Sequence, residues 1–323
     1  MSRGAKKWLA AAVCLAALGA ILFTAVMAAY HWDLSRLSTD RFETNTYEIS
    51  EAFRSIELNT DTADIYFAVS DDDLCRVVCR EEENRKHSAH VQDGTLTIGV
   101  ADNGKWYEQI GFGFRSPEVT VYLPETEYAS LVIREDTGDI VLPKDFTFGS
   151  VHLSLSTGRV DSRASSAGRM CIAADTGDIH LQNLSAGELA LTVSTGGVDV
   201  QSVSCMGDIG ICVDTGDADL SDVFCGSLHS DGSTGSITLK NVLTEGMLSV
   251  QRSTGDVRLE GCDAGELEIR TDTGRVSGSL LSPKVFIAHS DTGRVDVPET
   301  VSGGKCRLTT STGDIQIEIA RGE

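Results

Sequence analysis

The chain has 323 residues and a formal net charge of -21, with 32 Gly, 5 Pro and only 6% aromatic residues. This length allows two ordinary domains or one elongated domain, and few aromatic residues with many glycines favour thin, stacked layers over a thick globular core. The negative charge disfavours nucleic acid and anionic lipid or teichoic-acid surfaces as partners. Basic partners or divalent cations are electrostatically easier to bind.

The N-terminus carries the clearest local signal. Residues 1–7 form a basic tail without acidic side chains, and residues 8–30 contain no charge. At 1.5 Å per residue the second segment can cross a bilayer core of about 30 Å, which predicts a transmembrane helix or signal anchor. The basic tail predicts an N-terminus in the cytoplasm and a C-terminal domain outside. A cleaved signal peptide, with Val26–Ala28 as the cleavage site, is the alternative.

The next hundred residues divide into two parts. Residues 31–46 are polar and predict a stalk. Residues 47–130 contain strand-like segments of irregular spacing, and we expect them to form an N-terminal β cap with the first coils, because an exposed first coil would invite edge pairing. The sequence stops just after the last repeat, so we expect the C-terminal coil to be only lightly capped.

A Thr-Gly pair then recurs ten times at intervals of 19 or 20 residues. The glycines are Gly138, Gly158, Gly177, Gly196, Gly216, Gly235, Gly255, Gly274, Gly293 and Gly313. Aliphatic residues predominate seven and five residues before the glycine and two and four residues after it, with the two-residue period of a β-strand. Each repeat therefore predicts a strand, a turn, a second strand and a short link. Asp61–Ile65 resembles a degenerate eleventh copy.

Such a repeat cannot bury an apolar face alone, but stacking at the interstrand spacing of about 4.8 Å does bury it. A βαβ unit and a propeller blade need roughly 30 and 40 residues, and sandwich strands do not repeat so faithfully. The sequence thus predicts an all-β fold, a parallel β-solenoid (β-helix) of about ten coils over residues 131–320. Crossover preference favours a right-handed coil.

The turn sequence Asp175–Ile179, "DTGDI", also contains the Asp-Thr-Gly signature of aspartic proteases. Those enzymes bring two carboxylates together in one sheltered cleft. Successive corners of a rod run side by side instead, and half of the repeats carry Ser in place of this Asp. We therefore expect a structural turn in which Gly177 supplies a positive φ and Asp175 caps the turn.

The sequence predicts no catalytic residue, no cofactor and no firm metal site. A candidate site for a cation or a basic partner is an acidic patch formed by Asp178, Asp199, Asp214, Asp217, Asp219 and Asp222. No Cys-x-x-Cys or paired-His spacing indicates zinc. Cys205 and Cys225 occupy the same position in consecutive coils, where stacking would bring their Cα atoms to about 5 Å, inside the disulfide range.

The segments "DGTLTIGV" and "PEVTVYLPE" and the train of "TGDI"-type repeats resemble the bacterial "putative adhesin" family of β-strand-repeat proteins, a domain of unknown function (DUF4097-like). The resemblance covers roughly residues 45–320. It implies a β-solenoid at the cell envelope, often behind a membrane segment, and an association of some relatives with envelope stress. It brings no catalytic residues.

These observations together predict a non-enzymatic, membrane-anchored β-solenoid outside the bacterial cytoplasmic membrane, which acts as an adhesin, a scaffold or an envelope-stress interaction module. Its partner would be an envelope protein, a cationic peptide or the cell wall, and not nucleic acid. One alternative is a structural protein that self-associates through its C-terminal coil. The other is a carbohydrate-active β-helix enzyme, which the absence of long loop insertions between repeats disfavours.

Overall fold

The computed structural model describes residues 3–29, 31–32, 42–83, 85–101 and 116–320. Most of the predicted stalk (31–46), and residues 102–115 within the predicted cap, lie outside this part. The described residues form one helix and 26 strands. The strands are β1 (Phe42–Ile49), β2 (Ser55–Thr62), β3 (Asp64–Val69), β4 (Cys75–Glu82), β5 (His87–Gln92), β6 (Thr95–Val100), β7 (Glu118–Leu123), β8 (Glu127–Thr137), β9 (Ile140–Leu142), β10 (Thr147–Thr157), β11 (Val160–Ser162), β12 (Ser165–Thr176), β13 (Ile179–Thr195), β14 (Val198–Cys205), β15 (Ile209–Thr215), β16 (Ala218–Cys225), β17 (Leu228–Thr234), β18 (Ile237–Thr244), β19 (Met247–Thr254), β20 (Val257–Cys262), β21 (Glu266–Thr273), β22 (Val276–Leu280), β23 (Val285–Ser290), β24 (Val295–Asp296), β25 (Lys305–Thr312) and β26 (Ile315–Ile319).

The helix, α1 (Arg3–Ala29), contains the long apolar segment of the sequence. Its most apolar window, Ala12–Ala29, has a mean hydropathy of 2.4, and only 6% of this window is buried within the protein. The helix is therefore long and apolar enough to cross a membrane, as either an anchor or a signal sequence.

The strands pair in two ladders that run along the molecule. The first ladder holds, in spatial order, β5, β6, β2, β8, β10, β12, β13, β15, β17, β19, β21, β25 and β23. The second holds β1, β4, β7, β3, β9, β11, β13, β14, β16, β18, β20, β22, β26 and β24. The long β13 belongs to both. Among the named strands, pairing is antiparallel only for β1–β4, β4–β7 and β5–β6. The predicted parallel β-solenoid of about ten coils is confirmed.

Aliphatic rows fill the interior of the coils. Ile172, Leu191 and Ile211 pair in register across three consecutive coils, and each is at most 3% exposed. Side chains alternate between the two faces of a strand, so the intervening residues point outward. The core is therefore a set of columns, and every coil contributes one residue to each column.

Two features explain why glycine occupies the corners: the backbone conformation there and the close contact with the neighbouring coil. Gly177 has a φ of 139°, and a Cβ atom built there would lie 1.8 Å from the carbonyl oxygen of Gly158 in the preceding coil. At all ten corner glycines the corresponding distance to a stacked backbone oxygen is between 1.8 and 2.0 Å. At Gly138 that oxygen belongs to Ala63, so the degenerate copy at Asp61–Ile65 continues the same column. No side chain fits at these corners.

The carboxylate that binds the corner backbone is the one after the glycine, so the expectation that Asp175 caps the turn was wrong. Oδ1 of Asp178 accepts a hydrogen bond from the backbone N–H of Gly197 in the next coil, at 2.8 Å. Equivalent bonds to a stacked coil are accepted by Asp64, Asp139, Asp217, Asp256 and Asp314. Asp175 is exposed and has no hydrogen-bond partner within the described ranges. The position after the glycine is favoured because it lies directly beside the N–H of its equivalent in the adjacent coil.

Coil order at both ends departs from chain order. Near the N-terminal end, β2 and β3 lie between β6–β7 and β8–β9. At the opposite end, β25 and β26 lie between β21–β22 and β23–β24. The glycine column shows the same order, because Gly313 stacks on Gly274 and Gly293 stacks on Gly313. The C-terminal coil is therefore covered on both sides. The expectation that it forms the lightly capped edge was wrong, and β23–β24 forms that edge.

We predict that Gly216→Ala lowers the stability of the solenoid by roughly 2–4 kcal/mol, because it forces a side chain into a left-handed, close-packed position. The new Cβ would lie 1.9 Å from the Gly196 oxygen, at a φ of 140°. Thermal unfolding of the full chain, followed by circular dichroism, measures the effect. Gly210→Ala is the matched control, because a Cβ at Gly210 meets nothing within 4 Å. Equal unfolding temperatures for the two variants would contradict the steric argument.

Paired cysteine substitutions test the coil order. Thr273 is in register with Thr312, so Thr273→Cys with Thr312→Cys should form a disulfide on oxidation, since stacked Cα atoms lie about 5 Å apart. Thr273→Cys with Thr292→Cys should not, because β25 lies between those two coils. Peptide mass spectrometry of the oxidised protein identifies the bonds. A bond formed only by the second pair would show simple sequential stacking and refute the observed order.

Candidate functional site

The structure places the six acidic residues of the predicted patch along one stretch of the solenoid, but most of them already have partners. Besides its bond to Gly197, Asp178 lies 4.0 Å from the guanidinium of Arg159. The carboxylate of Asp199 lies 3.6 Å from Nδ1 of His180. Oδ1 of Asp217 accepts from the N–H of Ser236 at 2.7 Å, and Oδ1 of Asp222 accepts from the amide of Asn241 at 2.9 Å.

The remaining two acids, Asp214 and Asp219, are exposed. Asp219 is the register neighbour of Asp199. Within the described part of the chain, no three carboxylates of this patch come within 4.8 Å of one another. The patch is therefore a row of separate surface acids that fix turns and pair with neighbours, and it offers no ready cage for a metal ion. Binding of a basic partner here stays a prediction.

Cys205 and Cys225 are both buried, and both carry free thiols. They directly follow the registered pair Ser204 and Phe224 in adjacent coils. The Cys205 thiol lies 3.6 Å from the carbonyl oxygens of Gly187 and Asp208. Burial raises the pKa of the Cys225 thiol to about 12, which disfavours the reactive thiolate. A disulfide between the two residues stays a prediction.

A second cluster, which the sequence reasoning did not find, lies in the N-terminal cap. Cys79 and Glu81 stand two residues apart on β4, and His87 begins β5. One ligand atom from each lies within 4.8 Å of the others, and all three residues are buried. We call Cys79, Glu81 and His87 the cap triad. Among the described residues, it is the one group of three metal-binding side chains that lie this close together.

Hydrogen bonds hold the cap triad in place. Oε2 of Glu81 lies 2.7 Å from Nδ1 of His87 and also accepts from the His87 backbone N–H. Oε1 of Glu81 accepts from the amide of Asn45 at 2.7 Å, and the Tyr47 hydroxyl donates to the His87 carbonyl at 2.5 Å. Burial, and then the charge of Glu81, raise the pKa of the Cys79 thiol to about 12. Nε2 of His87 is buried and has no hydrogen-bond partner in the described part.

A signal for the cap triad was present in the sequence. Residues Cys75–Glu82 alternate buried and partly exposed, so Cys79 and Glu81 share the inward face of one strand. The triad has neither a Cys-x-x-Cys nor a paired-His spacing; its pattern is a Cys-x-Glu pair on one strand with a histidine at the start of the next.

The outer end of the solenoid exposes apolar side chains. In the strands β23 and β24, Val285, Ile287 and Val295 are between 36% and 49% exposed, and the following Val301 is 97% exposed. Within the part of the chain that the structure describes, each of these two strands pairs on one side only. This end, defined by β23, β24 and Val301, is called the outer coil below.

Several solved structures match this one over most of their length. They include a "putative adhesin" from Bacteroides fragilis, with 12% identity, coverage of 86% of this chain and 97% of that chain, and a TM-score of 0.39. Another "putative adhesin", from Parabacteroides distasonis, has 9% identity, coverage of 86% and 98%, and a TM-score of 0.46. A "putative lipid binding protein" from the same species has 13% identity, coverage of 86% and 98%, and a TM-score of 0.33. Identities this low and TM-scores below 0.5 carry no information about function.

No functionally curated protein matches the chain. The family model described as Toastrack DUF4097 matches residues 53–222 and 206–322. These two ranges take in almost all of the solenoid and its cap, in agreement with the resemblance seen in the repeat sequence. The chain therefore belongs to the Toastrack DUF4097 family.

Proposed function

We propose that the protein is a non-enzymatic module that α1 holds in the bacterial cytoplasmic membrane and that presents its solenoid outside the cell as an adhesin or scaffold. The observation that carries this proposal is the exposure of the apolar helix, because only 6% of its most apolar window is covered by protein. An uncovered apolar surface of this length is costly in water and is stabilised by a bilayer.

The surface of the solenoid supports binding rather than catalysis. The Asp-Thr-Gly carboxylates lie on separate corners, spaced along the rod by the stacking of coils, and so do not form the dyad of an aspartic protease. Outward-facing polar side chains instead form rows along the rod, such as Gln182 and Gln201, whose amides bond at 2.8 Å. Long, regular faces of this kind are the surfaces with which other solenoids bind extended partners.

Membrane anchoring is tested by placing charge within α1. Leu18→Arg with Leu22→Arg should move the chain from the membrane pellet to the soluble fraction, because each buried arginine costs about 2.5–3.5 kcal/mol at the helix centre. Val301→Arg is the control on the solenoid, where the native side chain is almost fully exposed.

Protease added to spheroplasts of cells that make the native chain should degrade the solenoid. A protected solenoid would overturn the proposed topology. N-terminal sequencing of the membrane-bound chain should return residues upstream of α1. A mature chain beginning near residue 29 would show that α1 is a cleaved signal peptide and would refute the anchor.

Crosslinking on intact cells, followed by mass spectrometry, should recover an envelope protein or a peptide. Recovery of cell-wall glycan alone would contradict a protein partner.

Self-association through the outer coil is a second candidate function, and the exposed apolar residues there favour it. An unpaired strand edge with apolar side chains is a template for pairing with a second copy. The site differs from the one expected from the sequence, since the C-terminal coil itself lies inside.

We predict that the chain in detergent grows in average mass with concentration, as measured by light scattering, and that Ile287→Lys with Val295→Lys reduces this growth. Charges on an edge oppose edge-to-edge pairing. Met206→Lys is the matched control, since Met206 is 80% exposed on a coil far from the outer end. A native chain that stays monomeric at every concentration would remove this candidate.

A further inference from the structure

We propose that the cap triad, Cys79, Glu81 and His87, binds a divalent transition-metal ion, and that Zn²⁺ matches it best. Ligand atoms on a tetrahedral zinc lie 2.0–2.3 Å from the metal and thus roughly 3–4 Å from one another. The triad's atoms are already within 4.8 Å of one another before any ion is considered. Side-chain rotations that move these atoms by roughly an ångström or less would complete the geometry.

The donor types select the metal. A thiol sulfur, an imidazole nitrogen and a carboxylate oxygen suit zinc, whereas Ca²⁺ and Mg²⁺ prefer oxygen alone. Binding would form bonds to Cys79 Sγ, a Glu81 oxygen and a His87 ring nitrogen, and the Cys79 thiol proton would leave to solvent. A thiolate and a carboxylate together balance the charge of the ion, so the filled site is neutral, as a buried site should be.

The histidine supplies an independent observation. The side chain of His87 is only 3% exposed, one ring nitrogen is held by Glu81, and Nε2 has no hydrogen-bond partner among the described residues. Burying an imidazole nitrogen without a partner costs free energy. A metal bond to Nε2 would supply the missing interaction, whereas a metal bond to Nδ1 would replace the contact with Glu81.

The residues around the triad resemble the outer contacts of known metal sites. The Asn45 amide holds the second oxygen of Glu81, and the Tyr47 hydroxyl holds the backbone of His87. Such contacts orient ligands and raise metal affinity. Asn45 and Tyr47 lie on β1, whereas the ligands come from β4 and the start of β5. An ion in this place would therefore link β4 directly to β5, with β1 held to both through Asn45 and Tyr47, and would stabilise the cap.

The test uses the full, untagged chain in detergent, stripped with a chelator and then titrated with Co²⁺ and Zn²⁺. We expect one Co²⁺ per chain, a thiolate-to-cobalt charge-transfer band, loss of that band when Zn²⁺ is added, and a higher unfolding temperature with Zn²⁺. A folded native chain that shows no charge-transfer band would overturn the proposal, whatever the variants do.

Variants assign the ligands. Cys79→Ser and His87→Gln should each weaken Zn²⁺ binding by about tenfold or more, and Cys79→Ser should also abolish the charge-transfer band. Cys75→Ser is the matched control, because Cys75 is buried on the same face of β4 and lies outside the triad. It should keep the native affinity and the native band. Unchanged Zn²⁺ affinity in Cys79→Ser and His87→Gln would place the ion elsewhere, for instance on surface acids, and would refute the site.

Discussion

The solenoid depends on one contact, the stacking of each corner glycine against the backbone oxygen of the corner next to it. Any Cβ atom at such a corner would lie only 1.8–2.0 Å from that oxygen, so the corner is closed to all other residues. The N–H of the same glycine donates to the threonine carbonyl of the coil on its other side, as in the 2.9 Å bond from Gly177 to Thr195. The column thus sets both the spacing and the register of the coils, and the aliphatic rows inside follow from it.

This constraint leaves the outward residues free to vary. The turn sequence can place Asp, Ser, Gly or Arg beside the glycine, because that position points along the outside of the rod. Where Asp is present, its carboxylate accepts a hydrogen bond from a backbone N–H of a stacked coil. Where Arg is present, as at Arg159 and Arg275, its backbone N–H donates such a bond to an Asp of the stacked coil. A strongly acidic protein can therefore stack its corners without bringing unpartnered carboxylates together.

The repeat made the coils predictable, because a period of 19 or 20 residues with strand-like alternation leaves few other folds. The coil order was not predictable. Every repeat carries a similar set of aliphatic residues, so the sequence pattern fits Gly274 stacked on Gly293 as well as it fits Gly274 stacked on Gly313. Only the connecting segments distinguish these two coil orders.

The cap triad was not predicted for a different reason. His87 follows β4 after a segment of sequence that does not repeat, so no periodicity predicts that it lies beside Cys79 and Glu81. In "DTGDI" the corner was correctly placed, but two carboxylates flank it and the sequence does not say which one meets the next coil.

The displaced order of the last coils separates the last strand along the chain, β26, from the tip of the rod. Strands β25 and β26 lie in a layer that is covered above and below, so detaching them requires a coil to be drawn out from between two others. The tip is instead an internal loop-and-strand segment with chain continuing from both of its sides. A protein fused directly after β26 would consequently emerge from the flank of the rod one layer below its tip, and the tip would remain free for contact.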